Sequence, residues 1–372
     1  MTLHRARWFW AAAMLAALGG AFWAGAMTYR HREAIARLWS SDRDRGALES
    51  PGSYRRDTEL LRGAFKAKII DRQLFAPCQT PGALHAAIDR MSFPASAFAG
   101  AYEKIRISNQ ELSGGICRID YQVDDRSYSS YAYFLKVAEA YAKDRVAVLI
   151  IPGTGLNQST EIVKGNPENY QSNIVGAFDG KADVYVYVKP NEDFLAIHNG
   201  EKKIREEFFV RFLLNKGGSY SAKYLVDTLS FSKFLKSAYS KLIVVGLSQG
   251  GEAALLNALQ STPDLTVVAS GFSVLNNELD WADCQQIIIP GLRQYYSNEK
   301  IRDMIGSSRT QYLFTYGQQE LGAYKVEAEE QATCKYLAGL ANVSCAVHGK
   351  GHVYDLGSVK DFLSRHQWRG RI

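Results

Sequence analysis

A chain of 372 residues is long enough for one large domain with extensions, or for two domains. Hydrophobic residues make up 47% and charged residues 22% of it, the balance of an ordinary folded protein. The net charge of +6 is spread over scattered Lys and Arg. No dense basic stripe alternates with aromatics, which argues against nucleic acid as a partner; a solvated surface mildly attracted to anionic lipid accounts for the charge as well.

Residues 8–29, WFWAAAMLAALGGAFWAGAMTY, carry no charge. At 1.5 Å per residue, about 20 helical residues cross a bilayer core. Arg5 and Arg7 precede the run, Arg30, Arg32 and Arg37 follow it, and Trp8, Trp10 and Trp23 sit towards its ends, where amphipathic rings prefer the headgroup level. Three readings compete: an uncleaved transmembrane anchor, a signal peptide cut after Ala24-Gly25-Ala26, and a buried helix of a soluble domain. Length and flanks favour the anchor. Residues 1–30 are therefore expected to be a membrane anchor or signal segment. The membrane is then a partner through residues 8–29, and the C-terminal bulk is expected outside the cytoplasm, periplasmic or on the secretory side, because short basic N-termini stay inside.

Five cysteines, Cys78, Cys117, Cys284, Cys334 and Cys345, permit disulfides in such a compartment. Cys334 and Cys345 are the first candidates, being separated by a short connection; five buried free thiols are the alternative. The absence of C-x-x-C gives no support to a compact zinc or thioredoxin-like motif. Neither metal nor cofactor is expected.

Residues 31–58 read as a linker, since 40–58, SSDRDRGALESPGSYRRDT, is polar and rich in Ser, Gly, Arg and Asp. Residues 59–115 are expected to form an N-terminal helical extension, with ELLRGAFKAKII and PGALHAAIDRM as its helices. From Ile116 the texture changes. ICRIDYQV and YSSYAYFLKVA are β-rich, and RVAVLII is a continuous apolar run stopping at Pro152-Gly153, as a buried parallel strand would. DVYVYV ends at Lys189-Pro190, KLIVVG ends in a glycine turn, and LTVVASGF, QYLFTYG and VSCAVHG follow. Helical patterns lie between them: YSAKYLVDTLSFSKFLKSA, GEAALLNALQ, KVEAEEQATCKYLAGL and VKDFLSRH. The alternation predicts an α/β fold over 116–372, a mostly parallel sheet with helices on both faces, preceded by the one transmembrane helix. Ligands bind such sheets at the carboxyl ends of the strands, so the turns after each strand are where chemistry is sought.

After KLIVV comes Gly246-Leu247-Ser248-Gln249-Gly250-Gly251, a G-x-S-x-G between a buried strand and a helix. A sharp turn there lifts the serine hydroxyl clear of the sheet. Gly246 and Gly250 are small because the strand and helix backbones pass close together. The helix start adds N–H groups and positive dipole. The pattern is weak alone; the strand before and the helix after strengthen it.

With these residues, 116–366 resembles the α/β-hydrolase superfamily, a serine hydrolase fold with no subfamily identified. The resemblance implies a triad in the order nucleophile, acid, histidine. Ser248 is the implied nucleophile. Gly317-Gln318-Gln319-Glu320 follows QYLFTY, where the family's G-x-x-D acid sits, so Glu320 is implied as the acid with Glu in place of Asp. Gly349-Lys350-Gly351-His352 follows VSCAVHG, implying His352 as the base. His348 is the alternative histidine, and Asp280 and Asp283 are alternative acids. The oxyanion hole is implied at the amides of Gln249 and, in Pro152-Gly153-Thr154-Gly155, of Thr154; Pro152 stands where many relatives carry His.

A serine hydroxyl needs a base within reach, the imidazole can take and return the proton, and the carboxylate fixes the tautomer. Pro190-Asn191-Glu192-Asp193, with His198 nearby, is expected to line the site, and 273–310 leaves room for a small cap. Its Trp281, Tyr295 and Tyr296 could face an acyl chain or sugar, though core packing of the cap is the plainer role. The expected function is a membrane-anchored serine hydrolase cleaving a carboxylic ester or O-acyl group, with a small-molecule, glycan or lipid ester as substrate. A serine peptidase or acyltransferase shares the machinery, and a catalytically inactive membrane-anchored binding protein is the alternative of another class.

Overall fold

The computed structural model describes residues 51–66, 80–94, 98–99, 106–107, 110–111, 114–135, 145–178, 182–192, 204–275, 289–320 and 322–368. The expected anchor at 8–29, Cys78, Asp193, His198, Asp280, Trp281, Asp283 and Cys284 lie outside them. Among the described residues no helix is long and apolar enough to cross a membrane.

The chain divides into two compact units, 1–62 and 63–372. A helix, α1, runs Pro51–Lys66, so residues 51–58 of the expected linker 31–58 are helical. Proline suits the first helical position, and Arg55 meets Glu59 one turn on at 3.2 Å, a pairing that supports an otherwise polar helix.

The second unit is built on a sheet of ten strands. Four short strands lie where only helices were expected: β1 (Met91–Ser92), β2 (Phe98–Ala99), β3 (Arg106–Ile107) and β4 (Gln110–Glu111). β1 and β2 both pair antiparallel with the long strand Gly114–Val123, and β3 pairs with β4 separately. Two-residue strands carry no readable periodicity; pairing with a long neighbour is what makes them. The expected helix of this stretch is present as α2 (Pro81–Asp89), capped by Thr80, whose hydroxyl accepts from the Ala83 amide.

The main strands are β5 (Gly114–Val123), β6 (Arg126–Leu135), β7 (Val146–Ile151), β8 (Asp183–Tyr187), β9 (Lys241–Leu247), β10 (Leu265–Ala269), β11 (Gln311–Gly317) and β12 (Val343–His348). Their order is β5-β6-β8-β7-β9-β10-β11-β12. β5 and β6 form an antiparallel hairpin turning at Asp124, with φ of 56°, and β6 meets β8 antiparallel. From β8 to β12 every pairing is parallel. Those parallel strands need crossovers, supplied by α3 (Gln158–Lys164), a 3₁₀ turn (Ser172–Ala177), α4 (Glu206–Asn215), α5 (Tyr220–Ala238), α6 (Gln249–Ser261), α7 (Leu292–Tyr295), α8 (Asn298–Ser307), α9 (Ala323–Glu330) and α10 (Ala332–Tyr336). After β12 the chain ends in α11 (Leu356–Arg365).

β7, β8 and β10 are buried at every residue, which explains why they read as unbroken apolar runs: both faces are covered. Val146, Val148 and Ile150 of β7, with Ile243 and Val245 of β9, pack on one face with Ile162 of α3, Ile174, and Val359 and Phe362 of α11. α5 and α6 cover the opposite face. Each buried aliphatic side chain contributes about 1.5–3 kcal/mol, so this double-sided core fixes the strand ends that carry the site.

The described part of the expected cap, 289–310, forms α7 and α8. Tyr296 is buried there, and its hydroxyl accepts from Gln260 Nε2 at 2.9 Å. Gln260 is eleven residues along α6 from Gln249, about 16 Å from its start. Tyr295 packs edge-on against Tyr296 with centroids 4.9 Å apart. Tyr296 packs the far end of α6, and Tyr295 faces His85 of α2 with ring centroids 6.0 Å apart. Cys334 and Cys345 form a disulfide with Cα atoms 5.4 Å apart, tying α10 to β12, and Cys117 is a buried free thiol.

Candidate active site

The turn after β9 is built by steric necessity. A Cβ on Gly246 would lie 1.9 Å from the Gly250 carbonyl oxygen, and one on Gly250 would lie 2.0 Å from that of Ile151. No side chain fits at either place. Between them Ser248 takes φ 59° and ψ −128°, a conformation L-residues rarely adopt. The Ser248 amide donates to the Ala269 carbonyl of β10 at 2.9 Å, which pins the strained residue to the neighbouring strand, and Gln249 opens α6 directly after it.

The parallel register carries the other groups to the same edge. Leu247 lies beside Ala269, and Gly317 beside His348. Ser270, Glu320 and His352 therefore follow β10, β11 and β12 at neighbouring strand ends, about 4.8 Å apart strand to strand. Glu320, 2% exposed, places Oε2 3.1 Å from Nδ1 of His352. Its Oε1 accepts from the Ser270 hydroxyl and from the Gly317 amide, the latter at 2.8 Å. Burial pushes the Glu320 carboxyl up, but the bonds from His352, Ser270 and Gly317 outweigh it and leave its pKa below the ordinary value. Glu320 is thus an ionised carboxylate aimed at one ring nitrogen, which favours the proton on Nδ1 and leaves Nε2 on the side of the ring away from Glu320.

The His352 ring packs against two tyrosines, tilted on Tyr170 with centroids 5.5 Å apart and stacked on Tyr324 at 5.9 Å. Tyr170 also donates to the Thr154 carbonyl at 2.8 Å. Thr154 in turn reaches Gln249, hydroxyl to Oε1, at 3.4 Å, and a Cβ on Gly153 would sit 3.3 Å from the Ser248 Cβ. A continuous chain of contacts, His352 to Tyr170 to Thr154 to the elbow, so brings Ser248, His352 and the loop after β7 to one edge of the sheet. Ser248 Oγ makes no hydrogen bond to His352 here; unliganded sites commonly leave that link long.

His348 is the last residue of β12. Its Nδ1 accepts from the Lys350 amide at 3.3 Å, and burial lowers its pKa. Its hydrogen bonding is thus to its own turn, whereas His352 holds the bond to Glu320. Among the described residues no group of His, Cys, Asp and Glu could hold a metal ion.

The chain has the α/β-hydrolase fold. What decides it is the strand order, with β8 before β7 and every pairing from β8 to β12 parallel behind an antiparallel β5–β6 hairpin. Among solved structures, the fold is similar to Est1E from Butyrivibrio proteoclasticus (14% identity, covering 67% of this chain and 98% of that one, TM-score 0.41). It is also similar to acetyl xylan esterase 1 from a Thermoanaerobacterium species (13% identity, 80% and 96%, TM-score 0.47) and to an esterase from Pyrococcus furiosus (13% identity, 72% and 98%, TM-score 0.43). No protein-family model matches the chain, and no curated protein matches it in sequence.

Within this α/β-hydrolase fold several site residues were not legible beforehand. Ser270 was hidden as one more small residue after a strand. Tyr170 comes from a turn with no pattern, and Tyr324 from the first turn of α9. Lys189 gave a faint signal, a charged residue directly on the end of the apolar run DVYVYV, and it is fully buried beneath the loop after β7.

Proposed function

We propose that this chain is a serine hydrolase that cleaves a carboxylic ester or O-acyl group through an acyl-serine intermediate on Ser248. The observation that carries this is the buried, ionised Glu320 bonded to Nδ1 of His352 at the same sheet edge as the strained Ser248. With Nδ1–H held by Glu320, Nε2 takes the Ser248 proton as Oγ attacks the ester carbonyl carbon. The carbonyl π pair moves to oxygen, and the resulting oxyanion is met by the amides of Gln249 and Thr154. Collapse breaks the C–O bond, His352 returns the proton to the departing alcohol, and the acyl group stays on Ser248. Water then repeats the sequence and releases the acid. Glu320 remains ionised throughout and stabilises the imidazolium.

The reading includes attachment to a membrane through residues 8–29, with the hydrolase unit outside the cytoplasm. The uncharged run flanked by arginines supports the first part. The Cys334–Cys345 disulfide supports the second, since such bonds persist in oxidising compartments.

The test is hydrolysis of a series of p-nitrophenyl esters, acetate to palmitate, by the full-length chain in detergent. Turnover of at least one ester that vanishes in Ser248→Ala supports the reading. Absence of turnover across the series counts against it. Extraction of the native protein with carbonate and with detergent tests the membrane part: release by carbonate alone would remove it.

A further inference from the structure

Lys189 and Glu206 form an ion pair 2.7 Å long with both side chains essentially inaccessible to water. A pair taken fully out of water is a weak source of stability, since its desolvation offsets its attraction. Its bonds show what it is spent on. Lys189 Nζ has three donors and three acceptors: Glu206 Oε2, the Gly153 carbonyl at 3.1 Å and the Gly155 carbonyl at 2.8 Å. Glu206 Oε2 also accepts the Gly155 amide at 3.2 Å, and Oε1 accepts the Tyr220 hydroxyl at 2.6 Å. The rest of the loop is tied down as thoroughly. Tyr224 donates to the Pro152 carbonyl at 2.6 Å, Tyr170 to that of Thr154, and the Gly153 amide donates to Gln171 Oε1 at 2.7 Å.

All described peptide bonds are trans, so a carbonyl and the following N–H point to opposite sides of the peptide plane. The Gly153 carbonyl is turned onto the buried ammonium. The Thr154 N–H that shares its peptide plane is therefore turned away from the ammonium. We propose that Lys189, held by Glu206, is a positioning residue that sets the oxyanion hole: by gripping the Gly153 and Gly155 carbonyls from beneath, it aims the Thr154 amide at the carbonyl oxygen of a substrate bound on Ser248. The role rests on the ester-hydrolase reading above. Lys189 touches no substrate, and with Glu206 2.7 Å away the pair carries no net charge, so it acts on the reaction through the position of the loop.

The experiment compares the full-length wild type with Lys189→Met and with the neutral double variant Lys189→Met/Glu206→Gln, which leaves no uncompensated buried charge. Three quantities are read: kcat and KM on p-nitrophenyl acetate, inhibition by a phenylalkyl trifluoromethyl ketone whose serine adduct carries an oxyanion, and folding by near-UV circular dichroism. Loss of one oxyanion-hole donor costs about 100- to 1,000-fold in kcat. The double variant is expected to fold, to lose kcat on that scale with KM within about threefold, and to bind the ketone more weakly by the same factor as kcat/KM falls. A folded double variant with kcat within about threefold of wild type would overturn the proposal. So would a kcat loss with undiminished ketone affinity. Failure of both variants to fold would make the pair a determinant of stability and also count against it. A wild type that neither turns over acetate nor binds the ketone removes the hydrolase reading itself, an outcome distinct from an active wild type with an equally active variant.

Discussion

Glu320 Oε2 lies 3.1 Å from His352 Nδ1, while Glu320 Oε1 is held by the Ser270 hydroxyl and the Gly317 amide. The carboxylate is thus oriented on one side by the neighbouring strand ends and delivers its other oxygen to the imidazole. Glu320→Gln preserves the shape but offers an amide that can present N–H to the ring and stabilise the wrong tautomer. The expected outcome is a kcat loss of about 10³- to 10⁴-fold with KM nearly unchanged, read from steady-state kinetics on whichever p-nitrophenyl ester the wild type prefers. A loss below about tenfold would place the acid elsewhere, with Asp280 and Asp283 as the next residues to substitute.

Ser248 carries a backbone conformation that only its surroundings enforce, φ 59° and ψ −128°. Such strain costs about 1–3 kcal/mol, and glycine adopts the conformation freely. Ser248→Gly and Ser248→Ala both remove the hydroxyl, but only the first removes the strain. The glycine variant is expected to be the more stable of the two by about 1 kcal/mol after the larger chain entropy of glycine is subtracted. Urea unfolding of the two variants side by side measures the difference.

Glu192 is buried beside the Lys189–Glu206 pair and accepts the Ser159 amide at 3.2 Å. Burial pushes its carboxyl from 4.5 up to about 7, against the pull of the Lys189 ammonium and the Ser159 bonds and with a further push from Glu206. A raised acid pKa means that the folded state holds an extra proton between those two values. Stability from this group is therefore full below pH 4.5 and falls as pH rises towards 7. Glu192→Gln mimics the protonated form. It is expected to match the wild type below pH 4.5 and to exceed it at pH 8, by up to about 3 kcal/mol. Denaturant unfolding at the two pH values checks both the sign and the window.

Much of this arrangement was legible because each residue sits at a place where a local signal meets a topological rule. KLIVV before Ser248 announces a buried strand, the glycines around the serine announce close backbone approach, and Glu320 and His352 fall directly after the last two apolar runs. The hairpin partners β1 and β2 were not legible, because a two-residue strand exists only through its pairing with β5. The helical start at Pro51 was masked by a polar composition that also suits a linker. Lys189, Glu206 and Tyr170 converge on one loop from three separate segments, and convergence of that kind leaves no periodicity in the chain.

The Cys334–Cys345 disulfide closes a short loop between α10 and β12, with a sequence separation of 11. Loop-closure entropy for a ring of that size corresponds to about 3 kcal/mol. Reduction, or Cys334→Ala with Cys345→Ala, is expected to lower unfolding stability by about 2–3 kcal/mol, with ester turnover retained below the shifted transition because the bridge lies outside the triad. Thermal melts with and without a phosphine reductant read the first quantity, and initial rates at 25 °C read the second.

The claim on which all of this turns is that Ser248 is an activated nucleophile. The most direct measurement is treatment of the full-length chain with a fluorophosphonate, followed by mapping of the adduct by mass spectrometry, repeated with Ser248→Ala and His352→Ala. The account predicts one adduct, on Ser248, absent from the first variant and slowed at least about 1,000-fold in the second. Folded wild-type protein that forms no adduct, or forms one on another residue, would contradict it.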